Sequence, residues 1–306
     1  MLFDSTLQAI GNTPLIKLNK IVLEDSADIY VKYEAINIGG SIKTRTAFNM
    51  IEEAEKQGLL HKDSIIMECS SGNQGIALAL IGAIKGYKVE IVMPDSVSVE
   101  RRKLIEQYGA SIILVKDEGN IGECIEKCQK IIKDKEKENP NVFIPGQFDN
   151  PANIKAQIKT GHEILKDLNH IDGFCSGIGT GGTLTGIGSV LRKDNPDIII
   201  WAVEPENAAI LSNKEIGTHM QMGIGDGIIP SILDLNIYDD ICIVSDEEAI
   251  DMAKRLAKEE GLLCGISSGS NVVAALRLAK KLGKGKKVVT ILPDTGERYY
   301  STPLFE

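Results

Sequence analysis

From Ser64 onward the chain alternates short β-rich runs with amphipathic stretches of helical length, a pattern that few architectures other than parallel α/β units can accommodate. Ser64–Glu68 predicts a strand, Gln74–Lys85 a helix and Lys88–Met93 a strand. Ser98–Tyr108 predicts a helix with its basic and acidic residues on the outer face, and Ser111–Val115 another strand. A long charged helix follows from Gly119 to about Glu136, and the run Glu136 to Pro140 reads as a solvated loop, because proline disfavours helix in the residue before it. A second series opens at Ile171–Cys175, continues through a helix at Thr183–Arg192, and reaches the β-branched run Ile198–Val203. It closes with helices at Asp246–Glu260 and Asn271–Leu282 and a strand at Lys287–Leu292. Two such series in 306 residues imply two α/β lobes with mostly parallel, twisted sheets. Ligands of such folds sit where helix N-termini meet the carboxyl ends of strands, here in the cleft between the lobes.

Charge and composition remove several function classes. A formal net charge of −9 gives no basic footprint for nucleic acid. No stretch approaches the roughly 20 apolar residues of a membrane span. The start, Met1 to Ser5, has neither a basic region nor a following apolar one, so a cytoplasmic protein is expected. Of the six cysteines, only Cys124 and Cys128 are close in sequence, and no neighbouring His or Cys pair completes a four-ligand set. Buried thiols and no metal site are expected. The four histidines are dispersed, which suits surface or packing roles.

Three glycine-containing loops carry the chemistry. Gly177-Ile178-Gly179-Thr180-Gly181-Gly182 follows a strand and opens a helix, so its backbone N–H groups and the helix N-terminus form a cup for a phosphate. Taken alone it also fits the G-x-G-x-x-G of a dinucleotide site, with Glu204 placed to meet a ribose. Asn37-Ile38-Gly39-Gly40-Ser41-Ile42-Lys43-Thr44-Arg45 is a glycine-rich turn that leads into a helix and presents one lysine. Ser70-Ser71-Gly72-Asn73-Gln74-Gly75, between a strand and a helix, offers hydroxyls, amides and N–H groups suited to a carboxylate.

Together these loops resemble those of the fold type II pyridoxal-phosphate (PLP) enzymes, the cysteine synthase and cystathionine β-synthase group. The resemblance spans nearly the whole chain, through Ile10 to Leu15, Met93-Pro94, Glu100 to Lys103, Gln147 to Asn153, Gly265 to Gly269, and Gly296 to Tyr299 with Ser301-Thr302. It implies a smaller, mobile domain over residues 48–149, a larger cofactor-binding domain over 1–47 and 150–306, and a homodimer acting on a small amino acid. Carried over residue by residue, it makes Lys43 the Schiff-base lysine and the base for the Cα proton. Gly179, Thr180, Gly181, Gly182 and Thr183 would hold the cofactor phosphate, Asn73 its 3′ oxygen, and Ser267 its pyridine nitrogen. Ser70, Ser71, Asn73, Gln74 and Gln147 would hold the substrate carboxylate.

The departures from the family pattern retune substrate fit and weaken a plain cysteine synthase assignment, and the one at Asp226 concerns the side where the second substrate enters. Ile38 and Thr44 stand where the family usually has Pro and Asp, Ser70 and Gln74 stand where it has Thr, and Gln157 replaces a histidine common in cysteine synthases. In Gly223-Ile224-Gly225-Asp226-Gly227, Asp226 takes the place of an alanine or tyrosine. A carboxylate there repels hydrosulfide and can accept a proton from water, with Gly225 beside it against the substrate. The expected reaction is therefore cysteine plus water to serine plus hydrogen sulfide. A turn-capping role for Asp226 before Gly227 is the plainer alternative, and it leaves a cysteine synthase or a related cystathionine- or lanthionine-forming enzyme.

Overall fold

The computed structural model describes residues 2–70, 72–118, 121–212 and 216–306. Within these described residues, ten strands form two sheets. In chain order they are β1 (Leu15–Lys17), β2 (Asp28–Tyr33), β3 (Ile65–Cys69), β4 (Lys88–Pro94), β5 (Ser111–Val115), β6 (Val142–Phe143), β7 (Gly173–Gly177), β8 (Ile199–Pro205), β9 (Asp240–Val244) and β10 (Lys287–Leu292). The larger sheet has the order β1-β2-β10-β7-β8-β9 and the smaller β5-β4-β3-β6. Among the described residues only the β1 pairing is antiparallel; every other strand pair runs parallel, as the alternation predicts.

The helices are α1 (Lys43–Lys56), α2 (Asn73–Lys85), α3 (Val99–Gln107), α4 (Ile121–Glu138), α5 (Pro151–Asp167), α6 (Gly182–Asp194), α7 (Asp246–Arg255) and α8 (Ile266–Leu282). They cover both faces of each sheet, so the inner strands are buried on both sides; five of the six residues of β10 are buried. Helix starts follow local chemistry. Asn150 caps α5 by accepting from the Ala152 N–H, with Pro151 next to it, and Ser245 and Glu248 close a reciprocal capping box on α7. No described helix is long and apolar enough to cross a membrane.

The structure corrects the sequence reading in several places. α4 continues to Glu138, so part of the expected loop is helix, and α8 begins at Ile266 rather than Asn271, which puts Ser267 in its first turn. On α3 the charged residues do not all face outward: Arg101 is buried, its guanidinium stacked 4.6 Å from the centroid of the Tyr299 ring. Strands β1, β2, β6 and β9 and helix α5 lie outside the elements expected from the sequence.

The N-terminus of α1 is fixed from two sides. The turn before it docks on the end of β10, with the Ile42 N–H donating to the Pro293 carbonyl (2.8 Å) and the Thr295 N–H to the Gly40 carbonyl (3.1 Å). Gly39 and Gly40 adopt positive φ of 78° and 70°, which lets the chain turn this tightly. Behind the turn, Arg45 pairs with Glu34 (2.9 Å) and Glu163 (2.6 Å), and the buried Lys32 pairs with Glu163 (2.9 Å). This joins α1, α5 and the end of β2.

Burial alone would raise the Glu163 carboxyl, but the hydrogen bonds and charges of Arg45 and Lys32 outweigh it and hold the group down to about 2. A pKa depressed in the folded state gives stability that is present above the ordinary 4.5 and is lost as the pH falls towards about 2. Melting temperatures followed from neutral pH to about pH 3 should therefore drop for the wild type. Glu163→Gln should start lower and show a shallower acid limb; equal acid limbs would remove the network from the acid response.

Candidate active site

The loops from the carboxyl ends of both sheets enclose one cavity, and most of the residues singled out in the sequence line it. Lys43, Ser70, Asn73, Gln74, Gln147, Gly179, Thr180, Gly181, Thr183, Asp226 and Ser267 are all on its wall. Gly182 and Gly225 sit in the same loops without lining the cavity, and Ser71 lies outside the described residues.

Lys43 is the first residue of α1. Burial lowers its pKa, against the nearby negative charges of Asp226 and Glu68, so the free amine is more accessible than for an exposed lysine. The Asp226 carboxyl is shifted the other way, upward, by burial that outweighs the attraction of Lys43 and His219. Its carboxylate accepts no hydrogen bond from the turn among the described residues. The turn is held instead by the Gly225 N–H to the Ile178 carbonyl (2.8 Å), while the Gly225 carbonyl contacts His219 Nε2 at 3.0 Å.

The Gly177–Gly182 turn is a tight cradle. A Cβ at Gly179 would stand 2.4 Å from the Gly223 carbonyl oxygen, one at Gly182 would stand 2.2 Å from Asn153 Oδ1, and Gly181 has φ +78°. Among the described residues, no protein acceptor takes the N–H groups of Gly179, Thr180 or Gly181, and the first turn of α6 leaves its own N–H groups open. Glu204, the ribose partner of the dinucleotide reading, is buried and accepts from the Leu211 N–H (2.8 Å) and the Ser212 hydroxyl (3.0 Å). It closes its own loop and leaves a phosphate cup with no ribose partner from this residue.

In the second loop, Ser70 Oγ accepts from the N–H groups of Gly72 (3.1 Å) and Gly75 (3.0 Å), which leaves its hydrogen free to donate. The Gln74 side chain is buried on the cavity with neither amide atom partnered, an arrangement that is costly without a ligand. Asn73 donates one amide hydrogen to Asp294 Oδ2 (2.7 Å) and accepts from Arg298. Gln147 is held by its amide to the Cys69 carbonyl (3.1 Å).

The sequence reading missed several neighbours. Glu68 is buried under this loop with its carboxyl pushed up to about 7 by burial, against the N–H groups of Gln147, Cys69 and Gly146. Asn153 bridges the loops, donating to the Gln147 carbonyl and Thr180 Oγ1 (both 2.9 Å). A carboxylate in an otherwise apolar strand was the available signal for Glu68, and for Asn153 it was its place at the end of the Gln147–Asn153 stretch. Gln157 lies outside the cavity, donating to Thr46 Oγ1 (3.2 Å), so this replacement of a histidine acts on helix packing.

Two parallel-sheet lobes with a lysine at a helix start and a glycine cup opposite it define a fold type II PLP enzyme. The family model described as pyridoxal-phosphate dependent enzyme matches residues 6–294, and the chain belongs to that family. It is 47% identical over 305 residues to a cysteine synthase of Staphylococcus aureus, spanning 99% of this chain and 97% of that protein. Among solved structures, an O-ureido-L-serine synthase superposes with a TM-score of 0.93 at 42% identity, covering 100% of this chain and 96% of that one. A hydrogen sulfide-producing enzyme from Fusobacterium nucleatum superposes at 0.92 with 43% identity, covering 97% and 100%. The protein is a PLP-dependent enzyme of the cysteine synthase, β-replacement group.

The cavity fits this cofactor: open N–H groups and threonine hydroxyls suit a phosphate ester, and a lysine of lowered pKa suits its aldehyde. Because the atom facing Gly179 is backbone, Gly179→Ala should weaken cofactor retention by about 10- to 100-fold, the equivalent of ~1–3 kcal/mol of overpacking. Visible absorbance after dialysis checks this; full retention would mean that the turn can relax.

Proposed function

We propose that the enzyme converts cysteine and water into serine and hydrogen sulfide, with Asp226 as the base for the water. One observation carries the reading: a carboxylate of raised proton affinity on the cavity wall, close enough to Lys43 for their charges to interact, and without a capping bond among the described residues. That speaks against the turn-capping alternative. The sulfide-producing neighbour points the same way.

Lys43 would hold PLP, with Gly179 to Thr183 placed to take its phosphate, Asn73 its 3′ oxygen and Ser267 its ring nitrogen. When bound, PLP supplies the electron sink that lets the Cα–H and Cβ–S bonds of cysteine break. Ser70, Gln74 and Gln147 bind the substrate carboxylate and so aim the Cα–H bond at Lys43 Nζ. The Lys43 amine takes the Cα proton and hydrosulfide departs. Asp226 accepts a proton from water as the water oxygen bonds to Cβ. Lys43 then returns its proton to Cα, and the proton on Asp226 leaves with hydrosulfide as hydrogen sulfide.

A second reading has its own support. The Staphylococcus aureus relative is a cysteine synthase, and on that reading O-acetylserine and sulfide give cysteine while Asp226 is a bystander.

Both shifts act in one direction with pH. Asp226 is a base only above its raised pKa, and Lys43 is a free amine above its lowered one. Serine formation from cysteine should therefore climb as pH rises through the Asp226 titration, and kcat/KM against pH is the measurement. Asp226→Asn should keep the cofactor yet cut serine formation by about 10²- to 10⁴-fold. The assay supplies cysteine alone and identifies the product by chromatography. Unchanged turnover in Asp226→Asn would end the base role. A wild-type enzyme idle until O-acetylserine and sulfide are added would establish the second reading, and lanthionine would make a second cysteine the nucleophile.

A further inference from the structure

Among the four histidines, His219 makes a contact more specific than surface or packing roles require. It lies in the irregular stretch that carries Asp226, yet it is not on the cavity wall. Two residues on, Gln221 is anchored to the end of β9 and to the starts of α7 and α8. Its buried amide donates to the Val244 carbonyl (2.9 Å) and to Asp246 Oδ1 (3.0 Å), and its side-chain oxygen accepts from the Ser270 hydroxyl (2.7 Å). Beyond this anchor the backbone can take many paths. Gly223, Gly225 and Gly227 have φ of 95°, 69° and 75°, a region that glycine enters and leaves at little cost.

The imidazole ring spans this stretch and selects one path. The Gln221 N–H donates to His219 Nδ1 (3.1 Å), and Nε2 lies 3.0 Å from the Gly225 carbonyl oxygen. A backbone N–H only donates and a carbonyl only accepts, so the two contacts fix the tautomer: Nδ1 is the acceptor and the ring hydrogen sits on Nε2. The Gly225 carbonyl belongs to the planar peptide group that ends at the Asp226 Cα. The peptide group before it is held by the Gly225 N–H on the Ile178 carbonyl (2.8 Å). With both planes held, the direction in which the Asp226 side chain leaves the backbone is set. The missing side chain at 225 is part of the same fit, since a Cβ there would stand 3.0 Å from His219 Nε2 and 2.7 Å from Pro205 Cγ.

We propose that His219 is a positioning residue for Asp226: its ring, carrying its hydrogen on Nε2, fixes the peptide plane from which the carboxylate reaches the cavity. This role rests on the reading of Asp226 as the base for water. On that reading, the attack of water on Cβ depends on a ring that lies off the cavity wall, through where the ring puts the carboxylate. His219→Ala removes the brace. His219→Gln restores its second half, because the glutamine amide nitrogen extends about as far as Nε2 and can donate to the Gly225 carbonyl.

The test uses holoenzyme of the wild type, His219→Ala, His219→Gln, Asp226→Asn and the His219→Ala, Asp226→Asn double variant. Hydrogen–deuterium exchange of peptides covering residues 219–227 reads the brace independently of activity, and serine formation from cysteine reads its consequence. In His219→Ala the exchange should speed up. Its kcat should fall by about 10- to 100-fold with KM and cofactor absorbance kept, the size expected when a reacting group is displaced by about 1 Å. His219→Gln should exchange and turn over close to the wild type. In the Asp226→Asn background, removing the ring should change kcat by less than about twofold, because the two residues act as a unit. If Asp226→Asn turns over like the wild type, or the wild type makes no serine, the base reading fails and the exchange rates alone decide, with faster exchange in His219→Ala still supporting the brace. Unchanged exchange in His219→Ala overturns the proposal, and so does a glutamine variant no better than alanine. Where Asp226→Asn is impaired, an unaltered kcat in His219→Ala, a rise in KM alone, or a full additional loss in the double variant overturns it as well. Cofactor lost together with activity in His219→Ala would do the same, since the ring would then support the fold at large rather than one carboxylate.

Discussion

The arrangement of this enzyme depends on one buried guanidinium. Arg45 stands two residues after Lys43, and its bonds to Glu34 and Glu163 tie the start of α1 to the end of β2 and to α5. Thr13 and Lys32 complete the cluster, with the Thr13 hydroxyl donating to Glu34 (2.6 Å) and the Lys32 ammonium bonded to the Thr13 carbonyl (2.5 Å). Such a network is weak evidence of net stability, because desolvation opposes the Coulomb gain, yet removing one member strands the others and costs about 3–5 kcal/mol. Its value here is positional. It fixes the direction in which α1 presents its first residue, and every other group of the cavity is arranged around that amine.

Around this anchor the cavity is built from backbone as much as from side chains. The glycine turn before α6 packs against Gly223 and Leu233 so closely that Cβ atoms would not fit, and the space left faces open N–H groups. Opposite, the loop between β3 and α2 depends on Ser70, whose oxygen gathers two N–H groups, and on Asp294, which accepts from both Asn73 and Tyr299. Arg101 passes beneath Gly72 towards Asp294, 4.0 Å away. Gly72 has φ +145° and no room for a side chain, so the loop and the buried arginine need each other. α3, carrying Arg101, also meets the C-terminal segment through Ser98 to the Arg298 carbonyl (3.2 Å) and Glu100 to Ser301 (2.9 Å). The two sheets are thus joined beside the cavity by polar contacts rather than by a continuous apolar core.

Charge divides the labour within the cavity. Lys43 is lowered and Asp226 raised by the same cause, removal from water, and each partly offsets the other. Glu68, with its carboxyl at about 7, lies beneath them among N–H donors and is held in place by the turn at Gln147. Two carboxyls near one amine then differ in what surrounds them: Glu68 is fastened by backbone, whereas Asp226 is not and faces the cavity.

What the sequence determined by itself is whatever depends on neighbours in the chain. Alternating periods marked the parallel units from Ser64 to Leu292, because a strand buried on both faces and an amphipathic helix each write a local pattern. The three loops were legible because glycine, serine and threonine before a helix reflect local backbone geometry; the lysine stood out within one of them, and Asp226 in the separate glycine-rich stretch from Gly223 to Gly227. The short strands β1 and β6 were not legible, since two or three residues carry no period. Nor was the inward turn of Arg101 on α3, where the apolar face is too weak to say which charges point out. Only the tertiary structure decided that Glu68 lies beneath the site and that Asn153 bridges Gln147 and Thr180. Each joins elements far apart in the chain, and such meetings follow from strand order and crossover packing, long-range choices that no local run of residues encodes.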